Sequence, residues 1–173
     1  MIAGIGASAG GLDAFKKFTA ALPVRSGAAF VIITHLAPKH ESMMVDILTR
    51  AAKIPVIQAT NKTRVKADHI YVIPPNAVMT IENGCLLLKP RMPEALAGSI
   101  MPIDVFLGSL ARDLGQRSIG VILSGNAPDG TRGLCEIKAA GGITFAQTEE
   151  TAEYESMPRS AIAAGCVDFV LDP

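Results

Sequence analysis

The sequence lacks the features that mark membrane, secreted and nucleic-acid-binding proteins. No apolar run approaches the roughly 18 residues of a membrane span, and residues 1–9 lack the charged stretch, apolar core and cleavage site of a signal peptide. Lys plus Arg equals Asp plus Glu at 16 each, so no net charge attracts the chain to nucleic acid or anionic lipid. We therefore expect a cytoplasmic protein that neither binds nucleic acid nor inserts into a membrane.

Cysteine is also scarce. Cys85, Cys135 and Cys166 are odd in number and far apart, and no CxxC pair is present. No histidine lies at ligand spacing from any of them, which argues against a structural zinc site. Because thiols stay reduced in the cytoplasm, we expect three unpaired structural cysteines.

The composition that remains is that of a compact globular protein, with 49% hydrophobic and 18% charged residues. A length of 173 residues suits one domain, spanning 1–173. Short apolar runs alternate with helical periodicity, which predicts a doubly wound α/β fold with a mostly parallel sheet and helices on both faces. The main strands are expected at 1–5, 28–34, 55–58, 119–123, 143–146 and 167–171, and the helices at 12–22, 41–52, 104–114, 134–140 and 158–164.

Residues 66–90 have a different period, typical of short β-strands. Runs at 69–73, 77–81 and 85–89 are apolar, and the last two are joined by Glu82-Asn83-Gly84. Because Asn-Gly favours a two-residue hairpin turn, we expect a small antiparallel hairpin insertion here. Residues 91–101 are expected to form a surface loop close to the site, with Asp104 as the N-cap of the next helix.

Ser8 is the first candidate for chemistry. Gly6-Ala7-Ser8-Ala9-Gly10 matches G-x-S-x-G between a predicted strand and a predicted helix, the context of a nucleophile elbow. The backbone N–H of Ala9 would then donate to an oxyanion. Two other interpretations stay open, because the same glycine-rich turn is typical of a dinucleotide or phosphate cradle, and Ser8 would also serve as a helix cap.

His35 and Asp129 would complete a catalytic triad with Ser8. Ligands of open α/β sheets bind beyond the carboxyl ends of the strands, and each of these two residues follows a buried apolar run. A neutral imidazole would accept the serine proton, and a carboxylate would orient that imidazole. Asp129 before Gly130 is equally typical of an ordinary turn or cap, so only its pairing with the other two makes it a candidate.

Four sequence blocks together resemble the chemotaxis protein-glutamate methylesterases (CheB-type). They are IGASAGG at 5–11, THLAP at 34–38, SGNAPDG at 124–130 and SMPRSA at 156–161, in the order seen in that family. The resemblance runs over nearly the whole chain. It implies a serine hydrolase that demethylates glutamyl methyl esters, and deamidates certain glutamines, on the cytoplasmic helices of methyl-accepting chemoreceptors, with no metal or organic cofactor.

The resemblance also implies a role for each candidate residue. Ser8 would be the nucleophile, His35 the general base and then acid, and Asp129 the orienting carboxylate. The candidates for binding the oxyanion or the substrate are Ala9, Gly10, Asn126 and Arg159.

The chain departs from the family pattern in two places. The family's aspartate loop usually reads Thr-Gly-Met-Gly-x-Asp-Gly, whereas Asn126, Ala127 and Pro128 stand here. Alanine cannot take a positive φ as cheaply as glycine, which puts a second oxyanion donor in question. The family's receiver domain has no counterpart before the first strand, so the chain more closely resembles the methylesterase portion of fusions with methyltransferase or sensory domains, or an excised piece.

The altered loop supports an alternative function from a different class. A module that has lost catalysis would still bind a chemoreceptor or a neighbouring signalling domain. Ser8, His35 and Asp129, which are all present, argue against this alternative. Covalent labelling of Ser8 by a fluorophosphonate would separate the two functions.

Overall fold

Parallel strands form the centre of the protein. The computed structural model describes residues 1–34, 41–91 and 100–173. Along the chain the strands are β1 (Ile2–Ala7), β2 (Ala29–Thr34), β3 (Val56–Gln58), β4 (Thr63–Arg64), β5 (Ile70–Val72), β6 (Ala77–Glu82), β7 (Cys85–Pro90), β8 (Ser118–Ile122), β9 (Ile143–Gln147) and β10 (Phe169–Leu171). Seven of them form one sheet in the order β10-β9-β8-β1-β2-β5-β3, in which each described pairing is parallel.

Helices cover both faces of this sheet. They are α1 (Gly11–Ala21), α2 (Glu41–Ala51), α3 (Pro102–Leu114), α4 (Thr131–Ala139) and α5 (Ser156–Ala163). Side chains of α1 and α2 pack in one apolar cluster against the sheet, and those of α3, α4 and α5 pack in a second cluster on the other face. The predicted doubly wound α/β fold is confirmed. Within the described ranges, no helix combines the length and the apolar character needed to cross a lipid bilayer.

The predicted antiparallel hairpin is also confirmed. β6 and β7 pair antiparallel around Asn83 and Gly84, whose φ angles are 49° and 70°, as a type I′ turn requires. The carboxylate of Asp113 on α3 accepts both turn N–H groups, which fixes the hairpin over that helix. β4, which the sequence pattern does not predict, adds a third strand beside β7.

β5 lies outside this small sheet, although its sequence belongs to the same β-type region. It pairs in parallel with β2 and β3 as part of the large sheet, and all three of its residues are buried. A three-residue apolar run is compatible with either sheet, so the pattern alone cannot assign its partners.

Burial is uneven at the β10 side of the sheet. An apolar groove of about 250 Å³ on the α1 face is lined by side chains that include Phe18, Phe30, Val121, Phe145 and Leu171. β10 is exposed along its length, with Phe169 and Leu171 at 51% and 55%. β8 therefore packs mainly against α3, α4 and α5 on the opposite face, and β9 against α4 and α5.

A disulfide joins α4 to the segment before β10. The Cα atoms of Cys135 and Cys166 are 4.8 Å apart, within the span of a disulfide, while Cys85 is unpaired. The expectation of three free thiols is therefore wrong for two of them. Both residues belong to the packing of the α3-side cluster, and this tertiary approach is invisible in the spacing of the cysteines.

Reduction of this disulfide is expected to lower the free energy of unfolding. The two cysteines are 31 residues apart, for which loop-closure entropy gives about 3–4 kcal/mol. Urea unfolding of the wild-type protein with and without dithiothreitol measures the difference. Cys135→Ser should match the reduced protein, and Cys85→Ser should keep the full response to reductant. Equal midpoints in both conditions, or three alkylatable thiols in the unreduced protein, would contradict this prediction.

Candidate functional site

The topology places one crevice at the carboxyl ends of β1 and β8. From β1 the chain moves to β2 on one side, and it later returns to β8 on the other. In open parallel sheets ligands bind where the strand order reverses in this way. Ser8 directly follows β1, and the loop at 123–130 directly follows β8, so both border the crevice.

The turn that carries Ser8 is held by backbone hydrogen bonds. Ser8 N–H donates to the carbonyl of Ser124 at 3.0 Å, and Gly11 N–H donates to the carbonyl of Ser8 at 3.0 Å. Gly10, with φ 68°, occupies the N-cap position of α1, and only a residue tolerant of the left-handed region takes this angle without strain. Ser8 is therefore not the N-cap, and its partly buried hydroxyl makes no hydrogen bond to another described residue.

The backbone N–H of Ala9 fits the predicted oxyanion donor. It donates to no acceptor among the described residues, whereas the N–H groups on either side of the turn, at Ser8 and Gly11, are both bonded. A phosphate cradle needs several free N–H groups pointing at the ligand. Two of the four N–H groups between positions 8 and 11 are thus already committed to carbonyls.

One wall of the site is formed by residues 154–157, just before and within α5. Gly125 N–H donates to the carbonyl of Tyr154 at 2.9 Å, and Met157 N–H donates to the carbonyl of Gly125 at 2.9 Å. A Cβ on Gly125 would overlap the Met157 sulfur and lie 3.1 Å from the Cβ of Ser8. Glycine at 125 thus lets this wall approach the serine closely.

Asp129 is buried at 1% exposure and bound to the start of α3. Its Oδ2 accepts the N–H of Ile103 at 3.0 Å, and its Oδ1 accepts the N–H of Asp104 at 2.9 Å. These are orphan donors of the first helical turn, and the helix dipole favours a negative charge there. A carboxylate has about four acceptor positions, so it can accept other donors besides these two N–H groups.

Asp104 caps a different helix from the one predicted. α3 begins at Pro102, and the carboxylate of Asp104 accepts the N–H of Gly133 in the first turn of α4 at 2.8 Å. Asp129 precedes α4 and caps α3, so the two helices cap each other. Burial raises the pKa of Asp104, and the nearby charge of Asp129 adds to that rise.

The altered loop keeps a left-handed residue. Ala127 has φ 69°, and Asn126, Ala127 and Pro128 are exposed. Ala127 is therefore strained, because the left-handed region costs a non-glycine residue about 1–2 kcal/mol.

Ala127→Gly is expected to raise the free energy of unfolding by about 0.5–1 kcal/mol, because strain relief exceeds the entropy that glycine adds to the unfolded chain. Urea unfolding measures the change through the midpoint at constant slope. Ala152→Gly is the matched control, since Ala152 has φ −80° and should lose stability on the same substitution. Destabilisation by both changes would contradict the strain at 127.

Arg159 lies on α5 and is engaged by two carboxylates. Its guanidinium bonds to Glu149 at 2.9 Å and to Glu155 at 2.5 Å. The hydrogen bond and charge of Glu149, followed by the charge of Glu155, raise the pKa of Arg159. Its role in substrate binding stays a prediction.

His35 lies outside the described residues, as does most of the predicted loop at 91–101. β2 ends at Thr34, which is paired with Ala7 of β1. Ser8 and His35 therefore each follow a member of the same cross-strand pair. Among the described residues, no group of three His, Cys, Asp or Glu side chains is arranged to hold a metal ion.

Ser124 is a residue of this site that the sequence pattern does not single out. It is 1% exposed, and its backbone and hydroxyl bond to three separate segments. Its only sequence signal is its place directly after a buried strand, in a Ser-Gly pair.

Known proteins match this chain in sequence over most of its length. A family model described as CheB methylesterase matches residues 3–173. A protein-glutamate methylesterase/protein-glutamine glutaminase of Photorhabdus laumondii is 36% identical over 171 residues, which are 97% of this chain and 48% of that protein. An uncharacterized 104.1 kDa protein of Rhodobacter capsulatus is 41% identical over 128 residues, which are 74% of this chain and 13% of that protein.

A solved structure matches as well. The Thermotoga maritima CheB methylesterase catalytic domain superposes with a TM-score of 0.88 at 28% identity, covering 98% of this chain and 91% of that one. The chain thus spans nearly all of a catalytic domain but half or less of these two longer relatives.

Proposed function

We propose that this chain, which belongs to the CheB methylesterase family, hydrolyses glutamyl methyl esters on chemoreceptor helices in the cytoplasm. It also deamidates glutamines there. Ser8 is the nucleophile, His35 the general base and acid, and Asp129 the carboxylate that orients His35. The observation that carries the proposal is Ser8 on a tight turn at the sheet's switch point, beside an Ala9 N–H that donates to no described residue and next to the loop that carries Asp129.

The reaction is a two-step acyl transfer. Ser8 Oγ attacks the ester carbonyl carbon while His35 takes its proton, and the negative oxygen is held by the Ala9 N–H. The bond to the methoxy oxygen breaks as His35 returns the proton, which releases methanol. Water then attacks the acyl-serine in the same way and releases glutamate, so one water is consumed per methanol formed. A glutamine amide follows the same course with ammonia as the leaving group.

The positions of the candidates support the triad. In the sequence Ser8 and His35 directly follow Ala7 and Thr34, and because these two are paired, β1 and β2 end at the same level of the sheet. Asp129 lies in the loop after β8, the strand on the other side of β1, and two backbone N–H donors of α3 fix its carboxylate. Such a fixed carboxylate holds an imidazole in one tautomer and stabilises it once protonated.

Methanol release tests the proposal. Wild-type protein is incubated with a methylated chemoreceptor cytoplasmic fragment, and labelling by a fluorophosphonate is followed in parallel. The expected result is methanol release above the uncatalysed rate together with a phosphonyl adduct mapped to Ser8. Folded protein that gives neither methanol release nor a Ser8 adduct would refute the proposal.

The alternative is a silent module that binds a chemoreceptor or signalling partner, and the strained Ala127 loop is the observation in its favour. It predicts binding of the receptor fragment with neither methanol nor a Ser8 adduct. The same experiment therefore separates the two functions.

We also propose that the chain acts beside fused domains, such as a methyltransferase or a sensory domain. The support is the length of the relatives, since the matched region is 13% of the Rhodobacter protein and 48% of the Photorhabdus protein. Methanol release should therefore also be measured in the longest natural form of the protein.

A further inference from the structure

Ser124 makes four hydrogen bonds that join three segments around Ser8. Its N–H donates to Gln147 Oε1 at 2.8 Å, and its carbonyl accepts the N–H of Ser8 at 3.0 Å. Its hydroxyl donates to the carbonyl of Ala9 at 3.0 Å and accepts the N–H of Tyr154 at 3.0 Å. The single proton of this hydroxyl is therefore committed to a backbone carbonyl, and the residue is 1% exposed.

Ser124 bonds to two of the three consecutive peptide planes of the elbow. The carbonyl of Ser124 holds the plane before Ser8, and its hydroxyl holds the plane after Ala9. The plane between them, which carries the Ala9 N–H, is held by the bond from Gly11 N–H to the Ser8 carbonyl. Because each peptide unit is planar, fixing its carbonyl also fixes the direction of its N–H.

The packing leaves little room for another arrangement. A Cβ on Gly10 would lie 2.7 Å from the Ser124 hydroxyl oxygen, so glycine is required where the hydroxyl reaches the turn. The side chain of Gln147, which accepts the Ser124 N–H, is itself 2% exposed. The same hydroxyl holds Tyr154, the first residue of the wall that approaches Ser8 through Gly125.

We propose that Ser124 is a positioning residue for catalysis: its hydroxyl fixes the peptide plane after Ala9, and through that plane it constrains the direction of the neighbouring Ala9 N–H and the placement of Ser8. The inference rests on the proposed hydrolase function. It adds that the serine elbow is held in its reactive geometry by a side chain from the loop after β8, and not by the G-x-S-x-G turn alone.

The test compares Ser124→Ala, Ser124→Thr and Ser118→Ala. Threonine keeps a hydroxyl at 124. Ser118 is the matched control, because it is a fully buried serine at the other end of β8 whose hydroxyl donates to the carbonyl of Gly115. Fluorophosphonate inactivation gives kinact and KI for each variant, and amide hydrogen exchange reports the protection of Tyr154.

Ser124→Ala should lower kinact roughly 10- to 100-fold with KI within about threefold, since small misplacement of reacting groups and loss of oxyanion alignment slow the chemical step. Exchange at Tyr154 should quicken. Ser124→Thr should restore both, and Ser118→Ala should lose stability while keeping kinact.

Two outcomes would overturn the inference. One is a Ser124→Ala variant with kinact within twofold of wild type, and the other is an equal loss in Ser118→Ala, which would make the effect one of stability. Both presuppose wild-type protein that is labelled at Ser8. Wild-type protein that is folded, unlabelled and without methanol release would instead refute the proposed function itself.

Discussion

Ser8→Ala is expected to lower kcat for methanol release on the order of 10³-fold or more while leaving the fold unchanged. Removal of the hydroxyl removes the atom that would form the acyl-enzyme, so the remaining rate comes from the oxyanion donor and from binding alone. The hydroxyl bonds to no other described residue, so its loss should change the free energy of unfolding by less than about 0.5 kcal/mol. Methanol release and urea unfolding of the same preparation measure both quantities.

Ser160→Ala is the control for this substitution. Ser160 lies on α5, and its hydroxyl donates to the carbonyl of Ser156 within the helix. Its replacement should leave kcat within about twofold, as expected for a surface change away from the reacting groups. If Ser8→Ala kept a tenth or more of the wild-type rate, Ser8 could not be the nucleophile.

The sequence predicted the large sheet well because parallel strands are buried on both faces. β1 and β2 are buried at every position and β8 at all but one, so their apolar runs have a single interpretation. Short strands were less predictable, since β4 has two residues and β5 three, and neither length shows a period. That residues 1–173 form one domain stays a prediction.

Contacts between segments that are remote in sequence explain the other places where the structure differs from the sequence-based predictions. Asp104 looked like the cap of its own helix, but Asp129 supplies that cap from 25 positions further along the chain. The bond between Cys135 and Cys166 and the bonds of Ser124 likewise join segments that are remote in sequence. Local pattern places residues on strands and turns, whereas these partners depend on how α3, α4 and α5 pack.

Asp129→Asn is expected to lower kcat on the order of 10³- to 10⁴-fold, the loss seen when the carboxylate of a serine triad becomes an amide and the imidazole takes the wrong tautomer. The same change places an amide N–H₂ against one of the two N–H donors of α3 and removes the charge that the helix dipole favours. A loss of about 1–3 kcal/mol in the free energy of unfolding is therefore expected as well. Methanol release is measured well below the unfolding temperature of the variant.

The two losses have different origins, and Asp168→Asn separates them. The Asp168 carboxylate pairs with Lys138 and accepts the hydroxyl and the N–H of Thr144, contacts that lower its pKa and tie β9 to the start of β10. Its replacement should cost stability above the unfolded pKa without lowering kcat. An Asp129→Asn variant that loses stability to the same extent but keeps kcat within about threefold would reduce Asp129 to the cap of α3. The serine would then need another carboxylate, or none, behind its base.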